Sequence, residues 1–128
     1  MDSTSMAQLW TGRALSGLAI VFLFVDAAGK LARVQPVVDG TVALGYDERV
    51  VFTLGILLMV GAILYAIPKT SLLGAVYLTG FLGGAVATHV RVGSPLFTHV
   101  LFGVYVAIVM WAGLVLRNPK LGALLIGR

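Results

Sequence analysis

The sequence predicts an all-α polytopic membrane protein: an antiparallel four-helix transmembrane bundle, with a short interfacial or re-entrant helix between spans one and two. Three observations predict it. Apolar residues make up 59% of the 128 and charged residues 11%, with a mean hydropathy of +1.03; a soluble domain is about 45–50% apolar and about 25% charged. The few charges divide the chain into apolar blocks, each near the roughly 20 residues that a spanning helix needs. None of the blocks shows a polar face at helical period, and a helix apolar all round is buried or in lipid. A chain this short cannot bury four such helices in a soluble core. A soluble enzyme, a disordered tail and a disulfide-stapled secreted module are excluded.

The whole chain, 1–128, reads as a single transmembrane domain with spans at about 9–32, 48–67, 70–92 and 96–117. The first carries Arg13 near one end and Asp26 and Lys30 near the other. Its apolar centre, ALSGLAIVFLFV, has the length of a signal peptide, but DAAGKLARV after it is a poor cleavage context and still reads as helix, so a retained span is expected. Between spans one and two lies VQPVVDGTVALGYDE. Pro36 suits the first turn of a short helix and Gly45 its C-terminal cap. Asp47 and Glu48 then fall at the start of span two, where the helix dipole favours negative charge.

Pro68 and Thr70-Ser71 mark the turn into span three, and Ser94-Pro95 the start of span four. Arg117-Asn118-Pro119-Lys120 ends that span, leaving LGALLIGR as a short interfacial helix or a frayed end. Trp10, Tyr46, Tyr65 and Trp111 fall near span ends and read as an aromatic belt. Gly80, Gly84 and Thr88 form a small-residue ridge on span three, and Gly12-xxx-Ser16 and Gly103-xxx-Ala107 could do the same on spans one and four. Such ridges let helices approach closely and argue for a tight, left-handed bundle.

An even number of spans puts both termini on one side. That side carries Arg13, Lys69, Arg117, Lys120 and Arg128 with Asp2; the other carries Lys30, Arg33, Arg49 and Arg91 with Asp26, Asp39, Asp47 and Glu48. The Lys/Arg count of five against four votes for cytoplasmic termini. The mixed signs on the second side suggest pairing. The formal charge of +4 has no clustered basic stripe, so nucleic acid is excluded as a partner. The bilayer is the expected partner, together with other membrane redox subunits or further copies of the chain.

Candidate chemistry gathers at the non-terminal rim. Asp26 and Lys30 are one turn apart on one helix face. Spans one and three run in the same direction, so topology brings His89 and Arg91, closing span three, to the same bilayer face, where His99 opens span four. Ionisable groups at membrane depth are costly unless paired and mark functional sites by default. A structural ion pair for Asp26–Lys30, an interfacial anchor for Arg91 and hydrogen-bonded core histidines are the plainer readings. The sharper reading is that Asp26, Lys30, His89, Arg91 and His99 bind a polar head such as a quinone ring and relay protons, for which histidine titrates in the right range.

A haem or metal held by His89 and His99 is disfavoured, because ten residues across a turn is not a recognised ligand spacing. An acid and base acting on a sterol-like ligand is a third reading. The chain has no cysteine, which removes thiolate metal sites, Fe–S clusters and cysteine nucleophiles. There is no HExxH, nucleophile elbow or phosphate loop, so no catalytic residue and no metal ligand is assigned.

FLFVDAAGKL in span one, the PVV and LGY segments after it, GFLGGAVATHVRVG in span three and FTHVLFGVYVAIVMWAGLVLR in span four resemble the DoxX-like small membrane proteins, over about Arg13 to Leu116. The resemblance implies a four-helix bacterial membrane protein. The family's namesake is the small subunit of a thiosulfate:quinone oxidoreductase. Other members are linked to redox and thiol-stress complexes, and many have no assigned activity. Asp26, Lys30, His89 and Arg91 match the family's polar positions. Lacking cysteine, the chain cannot itself exchange disulfides.

The expectation is an accessory subunit of a redox complex in the bacterial inner membrane, binding a quinone or similar lipid head at the polar rim. A small membrane enzyme or transporter acting on a lipid-like substrate in the same pocket is the alternative, and a structural scaffold the third. The residues do not decide whether the chain is catalytic.

Overall fold

The computed structural model describes residues 5–127, and these form helices and turns with no strand. Asp2 and Arg128, counted above on the termini side, lie outside the described residues. The helices are α1 (Met6–Leu31), α2 (Gln35–Ala43), α3 (Val50–Ala66), α4 (Ser71–Val92), α5 (Phe102–Arg117) and α6 (Pro119–Leu125), with a 3₁₀ turn at Pro68–Thr70 and a π-helical turn at Leu96–Val100.

Three helical segments are long and apolar enough to cross a membrane: Met6–Leu31, Pro68–Val92 and Leu96–Arg117. The fourth, α3, is apolar but has only 17 residues, about 25 Å at 1.5 Å per residue. It is shorter than expected because Asp47 and Glu48 stand in the turn before it. Asp47 Oδ1 accepts from the Arg49 backbone N–H at 2.9 Å and from Nε at 3.1 Å.

Local chemistry explains the other boundaries. Ser5 caps α1 by accepting from the Gln8 N–H at 3.0 Å. Pro36 occupies the first turn of α2, and Gly45, at φ +97, turns the chain out of it. Gly93, at φ +76, ends α4 and lets the Ser94 N–H return to the His89 carbonyl at 3.0 Å. The tail forms the short helix α6.

The long helices close a ring: α1 packs on α3 and α5, and α4 packs on the same two. The core runs through Leu23, Leu58, Leu78 and Met110, all fully buried. Glycines set the closest approaches. A Cβ on Gly113 would strike Ser16, and one on Gly74 would strike the Tyr65 backbone. The Gly12–Ser16 ridge of α1 thus brings helices close as expected, its partner being α5, and a Cβ on Gly103 would stand 3.1 Å from the Leu82 carbonyl of α4.

Tyr65 is no belt residue. It is 1% exposed and donates to the Met110 carbonyl at 2.6 Å. The Ser16 hydroxyl, 2.8 Å from the phenol oxygen, donates to Tyr65 and accepts from Arg117 Nη2 at 3.0 Å. Aromatic residues near span ends face inward when a polar partner waits in the core, and here one tyrosine ties α3 to both α1 and α5. Trp10 does fit a belt, exposed beneath the Arg13 guanidinium, 4.8 Å from the ring centroid. Trp111 is half-buried and donates to Thr79 Oγ1 at 2.7 Å.

Candidate functional site

At the end of the bundle away from the termini, the helices enclose a cavity of about 390 Å³, within the roughly 300–1,000 Å³ typical of small-molecule sites. Four of the five residues expected to converge line it: Asp26 and Lys30 from α1, His89 from α4 and His99 from the π-helical turn. The remaining lining is mainly apolar, including Phe22, Leu58 and Phe102.

Lys30 Nζ donates to Asp26 Oδ1 at 2.5 Å, with side chains 16% and 33% exposed respectively. The i, i+4 spacing brings the pair together, and each charge lowers the cost of holding the other away from water. His89 pairs through Nδ1 with the Ser94 hydroxyl at 2.9 Å. The left-handed turn at Gly93 places that hydroxyl. His99 pairs through Nδ1 with Thr98 Oγ1 at 2.7 Å. The two rings meet edge to face, centroids 5.8 Å apart. With Nδ1 engaged on each, Nε2 is the nitrogen available for a ligand. Among the described residues no group of three His, Cys, Asp or Glu stands close enough to hold a metal.

Arg91 does not line the cavity. Two residues along a helix is about 200° around it, so with His89 facing inward Arg91 faces away. Its Nη2 donates to the Leu44 carbonyl at 2.6 Å, packed against Gly45.

Sequence reasoning missed Tyr46 and Thr88. Tyr46, expected in an aromatic belt, lines the cavity and donates to Thr88 Oγ1 at 2.9 Å; the threonine in turn donates to the Gly84 carbonyl at 2.8 Å. In the sequence Thr88 reads with Gly80 and Gly84 as a helix-packing ridge. Those glycines meet no other helix: a Cβ on either would find nothing within 4 Å. They face the cavity. The signal available in the sequence was the i, i+4, i+8 spacing of Gly80, Gly84 and Thr88, ending one residue before His89.

A sequence model of the DoxX-like family matches residues 14–113. The chain belongs to the DoxX-like family. No curated protein and no solved structure matches it. For this DoxX-like protein, the matched region runs from the first turns of α1 to near the end of α5 and includes every cavity residue named above. Family membership and the long apolar helices make the chain a multi-pass membrane protein.

Proposed function

We propose that this DoxX-like protein is an accessory subunit of a membrane redox complex, and that it binds a quinone or a similar lipid head in the cavity. The observation that carries the reading is the division of the cavity lining. One end presents an ion pair, two imidazoles and a phenol; the rest is mainly apolar. A quinone head has carbonyl oxygens that accept hydrogen bonds and a ring that favours an apolar slot. Imidazole and ammonium groups supply donors, and imidazole can also pass a proton when the head is reduced. Asp26 steadies the charge on Lys30, and Ser94 and Thr98 orient the two imidazoles. The bound quinone would supply the electron-carrying chemistry; the chain's own part is to hold the head and present donors.

In this reading all four apolar helices span the bacterial inner membrane, with both termini cytoplasmic. The shorter α3 then reaches across with the help of the turn at 47–49. The positive residues on the termini side support that orientation.

Solvent extraction of the purified protein tests the reading. Quinone should be recovered from the native chain, and Asp26→Ala or His89→Ala should lose most of it while remaining folded by circular dichroism. Equal recovery from native and variant proteins, or no quinone from a folded native chain, would overturn it.

A further inference from the structure

The cavity has two possible mouths. At the rim, the α2–α3 segment covers it. Thr41, Leu44 and Tyr46 belong to the lining, and α4 holds the segment down through Tyr46–Thr88 and Arg91–Leu44. Toward the side, α3 and α4 part. They touch closely where Gly74 meets Tyr65 and where Gly61 meets Tyr77 and Leu78. Tyr77 then donates to the Leu57 carbonyl at 2.7 Å. Beyond that bond α4 lines the cavity with Gly80, Phe81, Gly84 and Ala85, and the two glycines are exposed with nothing within 4 Å of a Cβ. Leu57 opposite is 43% exposed and also lines the cavity.

We infer that the cavity opens sideways into the bilayer through a window between α3 and α4, and that its ligand is an amphiphile whose long apolar chain lies across Gly80 and Gly84. This rests on the reading that the polar end receives a head. The Tyr77–Leu57 bond closes the window on one side and the Tyr46–Thr88 bond on the other. Tyr77 and Thr88 are about 16 Å apart along the helix axis at 1.5 Å per residue. Between them two glycines remove the side chains that would fill the gap. Leu57, at the opening, is apolar and exposed, so a chain in the window passes from apolar lining to hydrocarbon without crossing water. A ligand arriving from the aqueous side would have to displace the α2–α3 segment.

Two measurements on the full chain in lipid vesicles test this. The native sequence has no cysteine, so Gly84→Cys takes a single nitroxide label at a position where the structure has room. Its collision rate with oxygen, which concentrates in the bilayer, should exceed that with a water-soluble nickel chelate. The opposite order would overturn the lateral route. Gly84→Leu should then fill the window. A trimethylbenzoquinone carrying a decyl chain should lose about tenfold in affinity, roughly what burying two methylenes contributes, while tetramethylbenzoquinone should change less than about twofold. Unchanged binding of both would overturn the window and leave the head site standing. Failure of both quinones to bind the native chain, with an oxygen-dominated label, would overturn the quinone reading and support the lateral opening.

Discussion

Gly45 and Arg91 share one space: a Cβ at Gly45 would lie 2.9 Å from Arg91 Nη2, the nitrogen that donates to the Leu44 carbonyl at 2.6 Å. The glycine is required twice, for its positive φ of +97 and for the approach of the guanidinium. Arg91 therefore acts on the segment over the cavity and not on its contents.

Arg91→Ala should loosen that segment. A hydrogen bond from a charged donor contributes about 1.5–3 kcal/mol, less where exposed, so exchange of the amides around residues 44–46 should quicken by about fivefold, the equivalent of about 1 kcal/mol. Hydrogen–deuterium exchange by mass spectrometry reads it. Exchange within α5 should not change.

Tyr65→Phe should destabilise the bundle by about 1–3 kcal/mol, because the buried Ser16 hydroxyl loses its acceptor and the Met110 carbonyl loses its bond from α3. Thermal melting in detergent measures this. The variant should still retain whatever ligand the native protein carries, since Tyr65 is not part of the cavity lining.

Gly74→Ala and Gly84→Ala should behave oppositely. At Gly74 the added methyl drives into the Tyr65 backbone, which cannot yield as a flexible side chain would, and a loss of about 1–3 kcal/mol is expected. At Gly84 the methyl meets nothing, and the helix gains about 0.5–1 kcal/mol from the stiffer residue. The two melting temperatures should move apart.

Asp47 provides a pH marker. The Arg49 side chain and backbone N–H hold its carboxyl below the ordinary value of 3.8. A group depressed in the folded state contributes stability above its unfolded pKa, and that contribution is lost as pH falls through the folded value. The Asp47 carboxyl carbon, followed by NMR, should titrate below 3.8 in the native chain and return toward it in Arg49→Ala.

Much of the architecture was legible because its punctuation is chemical. Pro36, Pro68, Pro95 and Pro119 all stand at element starts or the turns before them, where the missing N–H and restricted φ leave few alternatives. The convergence of Asp26, Lys30, His89 and His99 followed from helix direction alone. Side-chain facing was harder to read. In an amphipathic helix polarity reveals the inward side, but these helices are apolar all round, so Tyr65 gives no sign that it turns inward, and Tyr46, in the segment between α2 and α3, has no helical period to place it. Arg91 joins His89 at this end of the bundle by topology, and their two-residue spacing already sets them on different sides of α4; what the sequence does not say is which of the two faces the cavity, and the structure turns His89 inward. The Gly80–Gly84–Thr88 ridge was ambiguous for a related reason. Small residues serve equally to bring helices together or to keep space between them, and composition cannot distinguish a contact from a gap.

The Ser16–Tyr65–Met110 junction has a consequence for how the molecule tolerates change. It fastens three helices on the termini half, whereas the cavity occupies the opposite half, so the joint and the cavity draw on separate residues. Inherited substitutions should sort accordingly: those around the tyrosine lower the amount of protein that accumulates in the cell, and those around the imidazoles leave abundance intact.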